Sequence, residues 1–360
     1  MSPAARARRV NEHAEIVMFE KGPYISFANC GLPYYVGQEI GDRSALLLQT
    51  PEKFQARFNV DVRVFSEVTA IDRRHKLVRV RNIKTGEEYQ ESYDKLILSP
   101  GATPIKPPLP GIDLPNLFTV RTVPDAGAIR SMMDEHKPKS AVVIGAGYIG
   151  IEMVEALHHQ GLKVTLVEKA PQVLAPLDPE MALLVQSTME QAEVAVILGD
   201  GITGFAGTDR ATAVQLESGR AVEADLFILG LGVRPDTRLA REAGLAIGET
   251  GGIQVDAHMR TSDPDIYAAG DAVESIHLVT GQPAVIALAG PANKQGRVAG
   301  GNAAGDQMTF PGALGTAIVR FGSTVAAATG INEKTARRLG YDFITTYTMA
   351  GHHAAYYPGA

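Results

Sequence analysis

A chain of 360 residues with 45% hydrophobic and 21% charged side chains has the composition of a folded protein of about two or three domains, which excludes disorder, a collagen-like repeat and a small disulfide scaffold. A formal net charge of −6 argues against a non-specific nucleic-acid binder. Cys30 is the single cysteine, so neither an intramolecular disulfide nor a thiolate metal cluster can form; a cytoplasmic setting is expected, with no metal and no membrane, since no apolar run reaches the roughly 18–20 residues that span a bilayer.

Residues 4–11 read as a helix carrying Arg6, Arg8 and Arg9, and Glu12 follows at once, unlike an acid-poor transit peptide. A short apolar strand over 15–19 ends at Glu20. Cys30 lies in Ser26-Phe27-Ala28-Asn29-Cys30-Gly31-Leu32-Pro33, ahead of a short helical stretch bracketed by Pro33 and Gly37. A free cysteine is usually a small buried hydrophobe. Here the place before a helix N-terminus favours a thiolate, and Ser26 and Asn29 offer hydrogen bonds to a sulfur ligand. Thr50-Pro51-Glu52 is a helix start, with a hydroxyl cap and proline in the first turn. Residues 61–72 and 77–89 are β-rich, and Lys95-Leu96-Ile97-Leu98 is a buried strand that turns at Ser99-Pro100-Gly101-Ala102. Pro104, Pro107, Pro108 and Pro110 form a stiff linker.

After that linker the pattern becomes βαβ: a strand over 141–144, a helix over 148–160 and a strand over 163–168. The first turn is Gly145-Ala146-Gly147-Tyr148-Ile149-Gly150, and Glu168 ends the second strand, which together form a dinucleotide-binding fingerprint. Gly145 permits the turn, Gly147 lets a diphosphate approach, and Gly150 lets the helix pack on the strand. Glu168 suits a ribose diol and repels a 2′-phosphate, whereas Lys169 beside it has the opposite preference, so NADH and NADPH both stay open. Strands near 194–198 and 211–216 are expected to be antiparallel, and an apolar strand over 225–231 ends at Gly232. A further strand over 265–268 ends in Ala269-Gly270-Asp271, where Asp271 is either a turn residue or the holder of a polyhydroxyl chain such as ribityl. A helix over 291–303 follows, and a new β-rich unit begins after Gly305. His352 and His353 lack a spaced third ligand and read as structural or exposed.

Together these segments resemble the flavin-dependent pyridine nucleotide–disulfide oxidoreductases along nearly the whole chain. The segment from Ser26 to Cys30 is similar to the single-cysteine branch of that family, and Gly31-Leu32-Pro33-Tyr34 looks like the coenzyme A-disulfide reductases within it. NADH oxidases and NADH peroxidases share the branch. Arg121, Gly232-Val233-Arg234-Pro235 and Pro291-Ala292-Asn293-Lys294-Gln295-Gly296-Arg297 also look like family segments. The resemblance implies an α/β fold of two nested Rossmann-like dinucleotide-binding domains, one for FAD and one for NAD(P)H, with an incomplete α+β dimerisation domain. Residues 1–112 are then the first FAD segment without its first strand and glycine loop, 113–250 the NAD(P)H domain, 251–305 the second FAD segment and 306–360 the start of a truncated dimerisation domain.

The resemblance also implies roles. Cys30 becomes the redox sulfur beside the flavin. Glu20 holds the adenosine ribose of FAD, Asp271 the ribityl chain, and Ser99 and Gly101 lie beside the flavin. Lys21, Ser26, Asn29, Val68, Arg121, Gly232 and Ala289 complete the cofactor surroundings, while Gly145, Gly147, Tyr148, Ile149, Gly150 and Glu168 take NADH or NADPH. Ser2, Arg6 and Arg9 stand where the family binds CoA phosphates, and Asn293 and Arg297 near the CoA thiol. Tyr356 or Tyr357 reaches the active site of the partner subunit in a homodimer. The implied reaction passes electrons from NAD(P)H through FAD to a Cys30 mixed disulfide and reduces CoA-disulfide or a related persulfide or polysulfide. With one cysteine in the chain, the exchanging thiol comes from the substrate. The alternatives are an NADH oxidase or peroxidase that cycles Cys30 through a sulfenic acid, and a non-catalytic NAD(H)-binding fragment.

Overall fold

Residues 141–144 are apolar at every position, the pattern of a strand covered on both faces. In the computed structural model, which describes residues 1–351 together with Ala354 and Tyr356, Ser140–Ile144 is the central strand of a five-stranded sheet. The order across this sheet is Leu117–Phe118, Leu226–Leu229, Ser140–Ile144, Lys163–Glu168, Ala195–Leu198, and all neighbours run parallel. In its register Ala141 stands between Val164 and Leu226. The strand at Ala195–Leu198 therefore departs from the antiparallel expectation. The reason is a helix, Pro179–Gln191, that carries the chain back across the sheet and makes a parallel return. Ala213–Leu216 is antiparallel as expected, in a separate three-stranded sheet with Ile202–Ala206 and Ala221–Glu223.

The helices in chain order are α1 (Ser2–Val10), α2 (Leu32–Val36), α3 (Pro51–Phe58), α4 (Val123–His136), α5 (Tyr148–His159), α6 (Pro179–Gln191), α7 (Arg238–Glu242), α8 (Ala289–Ala303) and α9 (Glu333–Arg338). Local chemistry starts several of them. The Thr50 hydroxyl accepts from Lys53 N–H at α3, and α4 opens with a capping box between Thr122 and Asp125.

A second α/β unit is built from two parallel pairs, Val17–Glu20 with Asp61–Val64 and Leu96–Leu98 with Ile266–Ala268. The latter joins chain segments far apart in sequence. Helix α8 lies against α1 so closely that a Cβ at Gly300 would collide with the Pro3 carbonyl. An antiparallel sheet of Ser66–Asp72, Leu77–Asn82 and Glu88–Ser92 extends from this unit, and the chain continues into a hairpin, Ala317–Phe321 with Thr324–Ala328.

Three apolar clusters hold these parts. The first joins Leu32 and Val36 of α2 to Ile129 of α4, to Ile151, Val154 and Leu157 of α5, and to Val319 and Phe321 of the hairpin. Each such side chain contributes roughly 1.5–3 kcal/mol by leaving water, so the segment around Cys30 is fastened to the helix that follows the glycine turn. The second cluster surrounds Ile266, Ala268, Val273 and Val298, and the third covers the opposite face of the five-stranded sheet through Val142, Phe205 and Phe227. No helix among the described residues is long and apolar enough to cross a membrane.

Candidate active site

The glycine turn has the geometry its residues dictate. Gly145 adopts φ +101°, and a Cβ at Gly150 would run into the Gly145 carbonyl, so the turn closes only with glycine at both places. Gly147 caps α5 with no side-chain bond, and a Cβ built there meets nothing within 4 Å. Open space over uncapped N–H groups at a helix start fits a diphosphate. The carboxylate of Glu168 is fixed beside it: one oxygen accepts from Ala146 N–H at 2.7 Å and the other from Ala170 N–H at 2.7 Å. Tyr148 and Ile149 are half-buried in the first turn of α5, and burial raises the Tyr148 phenol.

In the second α/β unit two acids stand at the C-terminal ends of parallel strands, where ligands of such sheets bind. Glu20 ends its strand and accepts from Gly22 N–H at 2.6 Å, with Lys21 exposed next to it. Asp271 follows Ile266–Ala268 and meets the Arg121 guanidinium at 3.0 Å. Gly101, at φ +77°, lies against that guanidinium, so Gly101, Arg121 and Asp271 come together. The amide of Gly270 is held by the buried Gln295 side chain at 2.9 Å, which sets the direction of the turn into Asp271. Ser99 is exposed just before this group. Asp236 N–H donates to the Gly101 carbonyl and Ile105 N–H to the Gly232 carbonyl, so Gly232 sits where the two units cross. Ala289 is the exposed first residue of α8, and Val68 is half-buried opposite Val80. Two carboxylates at strand ends are acceptors that suit the hydroxyl groups of a cofactor such as FAD.

Cys30 is exposed in a 3₁₀ turn, Asn29–Gly31, directly before α2. Ala28 N–H donates to the Leu46 carbonyl at 2.8 Å, and a Cβ at Gly31 would press on the Leu46 side chain at 2.8 Å. Asn29 is exposed and Ser26 half-buried beside it. Helix α2 is tied to α5 by the Gln160 amide, which donates to the Gly37 carbonyl at 2.6 Å, and to α4 by Arg130, which donates to the Tyr35 carbonyl at 3.1 Å.

The electrostatics around the sulfur differ from the sequence reading. Cys30 keeps an exposed surface, but partial burial and then the negative charge of Glu152 push its thiol up, so the thiolate is disfavoured in this environment. The five residues of α2 form too short a helix to outweigh a carboxylate facing the turn. Glu152 is itself pushed up to about 7 by burial and by Glu155. Tyr34 is raised by burial and then by Glu152, and Arg320 lies over its ring at 5.8 Å. Glu152 did not stand out from sequence. Its signal was the spacing of Tyr148, Glu152 and Glu155, which places all three on one face of α5.

The residues expected to meet CoA lie along α1 and α8. The Ser2 hydroxyl donates to Asn293 Oδ1 at 2.7 Å, which joins two of them. Arg297 is exposed one turn further along α8. Arg6 is engaged by Asp306 at 2.5 Å, whereas Arg9 is exposed over the Phe58 ring at 5.6 Å. Tyr356 is 81% exposed. Tyr357, His352 and His353 lie outside the described residues.

Comparison with known proteins places this geometry. The family described as pyridine nucleotide-disulphide oxidoreductase matches residues 1–296. The CoA-dependent NAD(P)H sulfur oxidoreductase of Pyrococcus abyssi is 38% identical over 360 residues, covering 100% of this chain and 79% of its own length. The coenzyme A disulfide reductase of Staphylococcus haemolyticus is 34% identical over 357 residues, covering 99% of this chain and 79% of its own. The crystal structure of reduced Bacillus anthracis CoADR-RHD superposes with a TM-score of 0.97 at 46% identity, and the match spans 99% of this chain and 64% of that one. With a family match over most of its length and relatives of this identity, the chain belongs to the pyridine nucleotide-disulphide oxidoreductases.

Proposed function

We propose that the protein is an FAD-dependent oxidoreductase that takes electrons from NADH or NADPH and reduces CoA-disulfide, or a related persulfide or polysulfide, through a mixed disulfide on Cys30. One observation carries this reading. The only cysteine is exposed in a turn packed on the helix that the dinucleotide turn opens. The names of the Pyrococcus and Staphylococcus relatives support the substrate class.

Residues 1–112 and 251–305 would form the FAD unit, a division supported by the pairing of Leu96–Leu98 with Ile266–Ala268. Glu20 and Asp271 would hold its ribose and ribityl hydroxyls, with Ser99, Gly101 and Arg121 beside the ring. Residues 113–250 would hold NAD(P)H on the Gly145–Gly150 turn and Glu168. Residues 306–360 would belong to a dimerisation unit of a cytoplasmic homodimer. FAD, when bound, supplies the two-electron relay between nicotinamide and sulfur.

Cys30 does the exchange chemistry. Two electrons and one proton cleave the Cys30–CoA disulfide to a Cys30 thiolate and CoA thiol. The thiolate then attacks CoA-disulfide, restores the mixed disulfide and expels a second CoA, which takes up a proton. Burial, and then Glu155, push Glu152 up to about 7, so at neutral pH about half of its carboxyls would keep a proton to offer on the helix beside the Cys30 turn. One of Tyr356 and Tyr357, from the partner subunit, would donate to the leaving thiolate. Arg9, Asn293 and Arg297 would bind the CoA end of the substrate.

The test is Cys30→Ser. CoA-disulfide-dependent NAD(P)H oxidation is expected to fall by at least about 100-fold, while the flavin absorbance and any flavin-only reaction with oxygen persist. Unchanged disulfide reduction in this variant would remove Cys30 from the mechanism.

A further inference from the structure

A cavity of about 360 Å³, lined by none of the candidate site residues named above, lies where three parts of the chain meet. One wall is the turn between strands Val273–Ile276 and Pro283–Ala284, with His277, Thr280 and Gln282. Another is α9, with Thr335 and Arg338. The third is the loop that leads from the Glu168 strand into α6, through Pro176.

Its chemistry is one-sided. Its described lining includes an arginine and a histidine but no aspartate or glutamate. Arg337 is paired with Glu333, whereas Arg338 makes no ion pair among the described residues. Nδ1 of His277 is buried and has no hydrogen-bond partner there. His277 lines the cavity, and as an imidazolium it has N–H groups to give to an oxyanion. The Thr280 and Thr335 hydroxyls and the Gln282 amide supply further donors. The volume falls within the range of about 300–1,000 Å³ typical of small-molecule sites, more than a bare phosphate ion needs.

The cavity wall is also the anchor of the loop that leaves Glu168. The Asn332 amide donates to the Ala175 and Pro176 carbonyls, at 3.2 and 3.1 Å. Lys334 donates to Gln172 at 2.7 Å, Ala175 at 3.1 Å and Leu177 at 2.8 Å, and Glu333 N–H to Asp178 at 3.0 Å. The first turn of α9 therefore clamps the loop, and the same short helix presents Thr335 and Arg338 to the cavity.

We propose that this cavity binds a small organic anion bearing carboxylate or phosphate groups, and that its occupancy alters the affinity for NAD(P)H. A ligand that bridges Arg338 and His277 fixes α9 against the turn and so biases the clamped loop beside Glu168. The second half of the proposal rests on the NAD(P)H reading given above; the first does not.

The test is calorimetric titration of the purified full chain with citrate and, separately, with inorganic phosphate and glycerol 3-phosphate, first without NADH. Citrate or glycerol 3-phosphate is expected to bind more tightly than inorganic phosphate, and the stronger of the two identifies the preferred oxyanion. Arg338→Met and His277→Gln are each expected to weaken that binding by about tenfold. NADH affinity without the anion should stay within about twofold in Arg338→Met. In the unsubstituted protein a saturating anion should shift NADH affinity several-fold, and NADH should shift anion affinity by the same factor. Absence of binding by all three probes, or binding undiminished in Arg338→Met, overturns the site. Anion binding that is lost in Arg338→Met but leaves NADH affinity unmoved in the unsubstituted protein overturns the coupling. Failure of NADH to bind at all sinks the cofactor reading and the coupling with it, while leaving the anion titrations decisive for the cavity.

Discussion

Glu152 acts on Cys30 through its charge. The carboxylate raises the thiol, and burial raises both. Glu152→Gln keeps the shape of the side chain and removes the charge, so the thiol should ionise at lower pH. Alkylation of Cys30 by iodoacetamide at pH 8 is expected to accelerate roughly three- to tenfold. A rate equal to that of the unsubstituted protein would mean that Glu152 does not act on the sulfur. The same variant has a stability signature with a fixed sign. A carboxyl near 4.5 when unfolded and about 7 when folded binds more protons in the native state between those values. It therefore costs nothing below about pH 4.5, and its penalty grows up to about pH 7 and is constant above. Glu152→Gln should gain stability over the unsubstituted protein on going from pH 4.5 to pH 8, by on the order of 2 kcal/mol in urea unfolding.

At the scale of elements, the turn at Gly145–Gly150 and the strands around it make one unit. A methyl group at Gly150 has nowhere to go, since the Gly145 carbonyl occupies its place. Gly150→Ala should abolish NADH binding and destabilise the fold by about 2 kcal/mol or more; binding within twofold of the original would show that the turn can reopen without cost. This unit was legible in the sequence because its signals are local: an apolar run, three spaced glycines and an acid at the next strand end. The direction of Ala195–Leu198 was not legible. It depends on α6, whose apolar Met181, Leu183 and Leu184 are exposed and blur the helical period. Helix α4 was not legible for a related reason. Its capping box is plain at Thr122 and Asp125, but Gly127 follows inside the helix. In the candidate site, Asp271 stood out at its strand end, but no local pattern connects it to Arg121, which only the likeness to a family marked. The upward shift of Cys30 was hidden in the same way, because it comes from burial in the folded chain and then from Glu152 on α5.

For the whole molecule, the connection that matters most runs from the hairpin after residue 316 into the site. Arg320 on that hairpin meets Glu155 of α5 at 3.3 Å and Glu39 beyond α2 at 3.4 Å, and lies over Tyr34. One guanidinium thus touches the hairpin, the segment after Cys30 and the helix of the dinucleotide turn. The apolar cluster that includes Val319 and Phe321 carries the packing between these parts, so loss of the partly exposed Arg320 ion pairs should change global stability little. Its effect should be electrostatic instead. Arg320 offsets the charge of Glu155, and Glu155 is one of the two causes that raise Glu152. Arg320→Met leaves Glu155 with less compensation, so Glu152 should titrate above its value of about 7, and the Cys30 thiol should follow upward. Carbon-13 NMR of labelled glutamate would read the first shift, and the pH midpoint of Cys30 alkylation the second. An upward move of both, with the urea midpoint nearly unchanged, would show that the hairpin tunes the sulfur through α5. Unmoved midpoints with a large loss of stability would assign Arg320 a role in holding the parts together instead.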